Sequence, residues 1–209
     1  MKKIILGLAL GFAFFNSGFA QEKESTDFNK WQARFRFVTV LPQESATIEA
    51  IGGDIEISDR LIPELDFTYF FTENIAAELI LGTTKHDVKA VQTALGDIDL
   101  GSVWLLPPTL TLQYHFNIND FRPYVGAGVN YTIFYDVDPG AVVDVEYDNA
   151  FGYAFQLGFD YDLDDTWFLN LDAKYVMLTT DVTVDAGAVV PADVDINPLL
   201  IGFGVGMKF

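Results

Sequence analysis

The chain has no cysteine, so it has no disulfide framework and no thiolate metal site. It has 12 Lys and Arg against 30 Asp and Glu, for a formal net charge of −18. A chain this poor in cations is excluded as a nucleic-acid binder, because phosphate recognition needs clustered Lys and Arg. There are two histidines, His86 and His115, and no HExxH, CxxC or Gly-rich phosphate loop. Half of the residues are hydrophobic, yet beyond the N-terminus no segment stays apolar for the ~20 residues that a membrane-spanning helix requires.

The apolar residues alternate instead. From Leu106 every second residue is apolar: Leu106, Pro108, Leu110, Leu112, Tyr114 and Phe116, with Thr109, Thr111, Gln113 and His115 between them. After a short turn the apolar set is Val125, Ala127, Val129, Tyr131, Ile133 and Tyr135, set off by Gly126, Gly128, Asn130 and Thr132. One apolar face and one mixed face per strand is what the wall of a transmembrane β-barrel needs.

The first residues fit export. Met1-Lys2-Lys3 is a basic n-region, Ile4 to Phe15 an apolar h-region, and Gly18-Phe19-Ala20 a cleavage site. We expect a signal peptide over 1–20 and one barrel domain over 21–209.

Eight strand-like segments follow, at about Trp31 to Leu41, Leu61 to Phe71, Ile75 to Lys85, the two quoted above, Asn149 to Tyr161, Thr166 to Thr179, and Pro198 to Phe209. Short connections (Thr72 to Asn74, Asn117 to Phe121, Asp162 to Asp165) alternate with long ones (Pro42 to Arg60, Asp87 to Val103, Asp136 to Asp148, Asp181 to Asn197). Alternating loop length and an even strand count predict an all-β, eight-stranded antiparallel up-and-down transmembrane β-barrel in the outer membrane, with both termini periplasmic. Trp31, Tyr69, Phe71, Tyr114, Phe116, Phe159, Tyr161, Trp167 and Phe209 cluster at one set of strand ends. Tyr131, Tyr135, Phe151, Tyr153 and Tyr175 lie towards the other, so outer-membrane lipids are the expected surroundings. The terminal Phe209 resembles the signal read by the outer-membrane assembly machinery. The acids cluster in the long connections, which read as solvated loops; no EF-hand spacing is present and no metal or cofactor is expected.

The blocks LPPTLTLQYHF, FRPYVGAGVNYT and DNAFGYAFQLGFDY, with the terminal aromatic, resemble the OmpW family of small outer-membrane barrels. The resemblance covers essentially the whole mature chain, least closely in the loops. It implies a narrow, largely hydrophobic channel and passage of small hydrophobic compounds. Some members serve as bacteriocin receptors. It also aligns Ile80 with an aliphatic position that narrows the channel, and Lys174 with a position where at least one member has Trp.

If the aromatic face is outward, the alternate residues face the lumen. Towards the termini these include Arg34, Arg36, Asp66, Glu78, Gln113, His115, Gln156, Asp160, Asp172 and Lys208; towards the other end they are Val38, Val40, Ile62, Ile80, Phe134, Val176, Leu178 and Leu200. This predicts an apolar vestibule for a small hydrophobic ligand above a charged floor, with Lys174 near the join, either paired with Asp172 or meeting an anionic ligand head. Consecutive Pro107 and Pro108 each remove a ladder donor. They mark an expected weak spot in the wall, and hence a lateral exit. Two alternatives stand beside a transport barrel: a closed structural or adhesive barrel acting through its acidic loops, and a lipid-modifying enzyme, for which His86 and Ser102 are the one pair worth naming. No catalytic residue is assigned.

Overall fold

The computed structural model describes residues 29–48 and 51–209; the predicted signal peptide and the expected mature terminus lie outside them. Fourteen strands are present among the described residues: β1 Trp31–Leu41, β2 Ser45–Thr47, β3 Asp54–Ile57, β4 Arg60–Phe70, β5 Ile75–Leu81, β6 Thr84–Thr93, β7 Gly96–Leu106, β8 Thr109–His115, β9 Phe121–Asp138, β10 Asp144–Tyr147, β11 Ala150–Asp162, β12 Trp167–Asp185, β13 Val189–Asp195 and β14 Leu199–Lys208.

Eight of them close a barrel. The antiparallel ladders run β1–β4–β5–β8–β9–β11–β12–β14 and return from β14 to β1, so each of these strands has a partner on both sides. Closure satisfies backbone donors and acceptors that lipid cannot. Trp31 and Phe209 exchange backbone bonds at 3.1 and 2.9 Å, so the described N-terminal end and the C-terminus meet at the end that carries the short turns.

The alternation sorts the faces as expected. Phe37, Leu110, Leu112, Val125, Phe155, Leu157 and Phe203 stand exposed outward, while Arg34, Asp66, Glu78, Gln113 and Asp160 are buried inside. Glycine on β14 makes room inside: a Cβ at Gly206 would collide with the buried Phe168 ring, and one at Gly204 with the backbone of β1 at Phe35.

The long connections differ from expectation. They are not irregular loops but a second tier of β-structure. β6 and β7 form a hairpin, β7 pairs with the upper end of β9, β3 pairs with β6, and β10 and β13 flank the upper end of β12, with β2 beyond β13. The reason is a continued period of two. Val182, Val194 and Ile196 point inward and are buried, while Asp181 and Asp193 face water. The acids are the wet face of strands, and Ile55, Val88, Leu100, Val145, Val182 and Val194 carry the apolar core up beyond the barrel.

Candidate functional site: a sealed polar floor beneath an apolar interior

The lower lumen is filled by one hydrogen-bonded network. Arg34 Nε donates to Asp66 Oδ1 at 2.7 Å and Nη2 to Thr68 Oγ1 at 2.9 Å; Nη2 also bonds Glu78. Arg36 Nη2 reaches Glu64 at 2.6 Å and Asp66 at 3.0 Å. Glu78 Oε2 further accepts from Thr111 (3.1 Å), Gln113 (2.9 Å) and Gln156 (2.9 Å). Tyr124 donates its hydroxyl to Asp172 at 2.9 Å and receives Asn170 at 3.0 Å, and the Arg34 guanidinium lies 5.6 Å from the Tyr124 ring centre. Both arginines are fully buried. Of the expected floor residues, Arg34, Arg36, Asp66, Glu78 and Asp172 therefore form one body. Glu64, Tyr124 and Asn170 join it unforeseen. Burying so many charges is tolerable only because each finds partners.

Beneath the floor a polar mouth of about 600 Å³ opens beside Gln32, Arg122, Asp162 and Lys208. It does not reach the apolar interior, because the network lies between.

Above the floor are two stacked apolar cavities. The lower, about 80 Å³, is lined by Val40, Ile62, Ile80, Phe134, Val176, Leu178 and Leu200, which the alternation places inward, and also by Ile57, Val88, Val103, Leu105 and Ile196 from the second tier. Lys174 stands in its wall. Val38 is a correction: it is buried but does not line the cavity, and its Cγ2 stands over Gly202. The upper cavity, about 280 Å³, is lined by Ile48, Ile55, Ala90, Leu100, Val184 and Val194, with Leu95 and Ile98 at the hairpin. No sequence reading identified it, because its residues fall in segments assigned to loops.

The two prolines interrupt the strand: β7 ends at Leu106 and β8 begins at Thr109. Tyr131 N donates to Pro108 O at 3.1 Å and Asn130 Nδ2 to Pro107 O at 3.2 Å, which ties the interruption to β9 without replacing the two missing N–H donors. The wider break lies one strand further. The β4–β5 ladder stops at Leu65–Leu81, while β4 continues on β1 to Arg60. Above Leu81 the chain bends at Gly82-Thr83 into β6. It meets β4 again where Arg60 Nε donates to Lys85 O at 2.7 Å and Nη2 to Asp87 at 2.5 Å. Between these two levels no ladder pair joins β4 to the β5–β6 edge. This gap in the hydrogen bonding, called the window below, is bordered by Ile62, Glu64, Gly82 and Thr84, all of which line the lower cavity, with Glu64 and Thr84 buried.

His86 and Ser102 do not form a nucleophile–base pair. The His86 ring nitrogens are engaged with Ser58 O at 2.6 Å and Thr84 Oγ1 at 3.1 Å, and burial holds the imidazole below its usual pKa.

A closed eight-stranded barrel with an apolar outer band, aromatic ends and a polar plug is a transmembrane β-barrel of the bacterial outer membrane. Sequence comparison specifies which: the chain belongs to the OmpW family, whose sequence profile matches residues 29–209. It is 45% identical to the uncharacterized outer-membrane protein y4mB of Sinorhizobium fredii, over 96% of this chain and 94% of that one. It is 35% identical to outer membrane protein W of Vibrio cholerae over the full length of both. The crystal structure of OprG from Pseudomonas aeruginosa superimposes with a TM-score of 0.79 at 28% identity, covering 87% of this chain and 96% of that one.

Proposed function

We propose that this barrel admits small apolar or amphipathic molecules from outside the cell and releases them sideways into the outer membrane. The observation that carries this reading is the apolar interior, stacked through two tiers, above a floor with no open path. An aqueous pore has no use for such a lining, and a solute that descends it meets the window between β4 and β6 before it meets a route to the periplasm. In this reading the end holding Trp31 and Phe209 is periplasmic, the second tier is extracellular, and Phe209, 54% exposed, offers its ring to the assembly machinery.

Gly82→Trp tests the exit. A Cβ at Gly82 meets only the Glu64 side chain, at 3.8 Å, so an indole can be placed in the window without straining the backbone. Uptake of an apolar compound into cells carrying this variant should fall severalfold, with heat-modifiable folded barrel at the wild-type level. Pro107→Val with Pro108→Val should slow uptake less. The reverse ranking would return the exit to the prolines.

Orientation has its own check. Protease added to intact cells should cut at the hairpin tips near Leu95, Gly140 and Gly187, and spare Asn74, Asn119 and Asp164. Cuts at the latter three in unbroken cells would invert the topology.

A further inference from the structure

The lower cavity contains one cation that its surroundings do not complete. Lys174 on β12 is 2% exposed, lines the cavity, and has no hydrogen-bond acceptor within reach among the described residues. The closest carboxylate is Asp172 Oδ1, 3.9 Å from Nζ. Asp172 is held where it is: its Oδ2 accepts from Tyr124 at 2.9 Å and Gln156 at 2.8 Å, and Oδ1 faces Arg36 Nη1 at 3.5 Å. Glu64, in the same cavity wall, accepts from Arg36 through Oε1 at 2.6 Å and lies beyond 4 Å from the Lys174 ammonium. Glu78, just below, is saturated by Arg34, Thr111, Gln113 and Gln156. Two nearby polar groups of the wall, Thr109 and Asn130, bond each other at 2.8 Å. The ammonium thus has one long ion pair and donors left over at the foot of an apolar chamber, and a buried charge that is incompletely paired is costly.

We propose that the cavity takes an amphiphile with a carboxylate head. The head sits on the Lys174 ammonium and the tail rises past Ile80, Val176 and Leu178 towards the second tier. This rests on the reading of the cavity as a ligand route and names the class of its cargo. A carboxylate supplies the acceptors that Asp172 is too far away to give, and charge-assisted hydrogen bonds are the strong kind. An alcohol of equal tail length fills the same apolar volume but leaves the charge incompletely paired.

The test uses the folded chain in nanodiscs of zwitterionic phospholipid, titrated by calorimetry near pH 8 with dodecanoate, dodecanol and dodecylammonium, each corrected for partition into empty discs. Dodecanoate should bind about tenfold or more tighter than dodecanol, the fold-change expected of a hydrogen bond to a charged group. Lys174→Met should bring that ratio close to one, and Lys174→Arg should keep it high. If Lys174→Met fails to fold, the wild-type ratio still decides, together with the ¹⁵N resonance of the Lys174 ammonium, which should move with dodecanoate and not with dodecanol. A wild-type ratio near one, an unchanged ratio in a folded Lys174→Met barrel, or a preference for dodecylammonium overturns the carboxylate assignment while leaving the apolar route standing. If neither dodecanoate nor dodecanol binds, the route itself is wrong.

Discussion

Replacing Arg34 by Met should cost roughly 3–5 kcal/mol of folding stability, the usual consequence of removing one partner from a buried ion pair. Arg34 is the hub through which Asp66 and Glu78 are neutralised, and it also stands 3.7 Å from Asp160. Without it three buried carboxylates share the lumen with less compensation. At about 1.4 kcal/mol per decade, the folding equilibrium should shift on the order of a hundred to a few thousand fold. The measurement is a urea titration of the folded fraction, read by heat-modifiable migration. Two comparisons make it specific. Arg60→Met removes a pair that is 35% and 58% exposed, and should change stability by no more than about 1 kcal/mol. Adding Asp66→Leu to Arg34→Met should recover part of the loss, because the penalty belongs to the stranded charge and not to the missing contact. Equal effects for Arg34→Met and Arg60→Met would mean that the floor is far wetter than its burial implies.

The apolar cavity should show itself in tail length. Measured from water, each CH₂ buried along the chamber contributes about 0.8 kcal/mol, or roughly fourfold in affinity. A series of straight-chain alcohols should therefore tighten steadily until the tail fills the space between Ile80 and the second tier. Ile80→Asp or Leu200→Asp should weaken dodecanol binding roughly tenfold to a hundredfold, since each removes an apolar contact worth ~1.5–3 kcal/mol and leaves a polar group to be desolvated. Val143→Asp is the control, at a site 69% exposed and outside both cavities. Affinity indifferent to tail length and to both cavity substitutions would leave the chamber without a ligand.

What could be read from the chain follows the strength of its period. β1, with Phe35, Phe37 and Thr39 set against Arg34, Arg36, Val38 and Val40, was legible to its last residue, Leu41. The second tier was not, although its period of two is as regular. Asp181, Thr183 and Asp185 alternate with Val182 and Val184, but aspartate and glycine are poor strand formers and dominate the impression of a loop. Pairing with β10 and β13 overrides that propensity. Tyr124 was missed for a related reason. An aromatic near a strand end suits an interfacial girdle, and only its shared face with Arg122 and Gly126 points it inward. The window could not be read at all. It depends on where β4 and β6 part company, and no local pattern in either strand encodes the spacing between them.

The length of β12 has a consequence for where a solute first meets the protein. Its 19 residues rise ~3.3 Å each, giving about 60 Å of strand. At the tilt of ~40° usual in such barrels this is roughly 45 Å of height, against an apolar band of about 25 Å. The remaining ~20 Å would stand clear of the hydrocarbon, through the hydrated zone of head groups and sugars that repels greasy molecules. The acids on the outside of that collar keep it wet, and the valines within keep it dry. Under the proposed function the barrel would then serve as a snorkel, letting an oily solute cross the polar coat of the cell without ever dissolving in it.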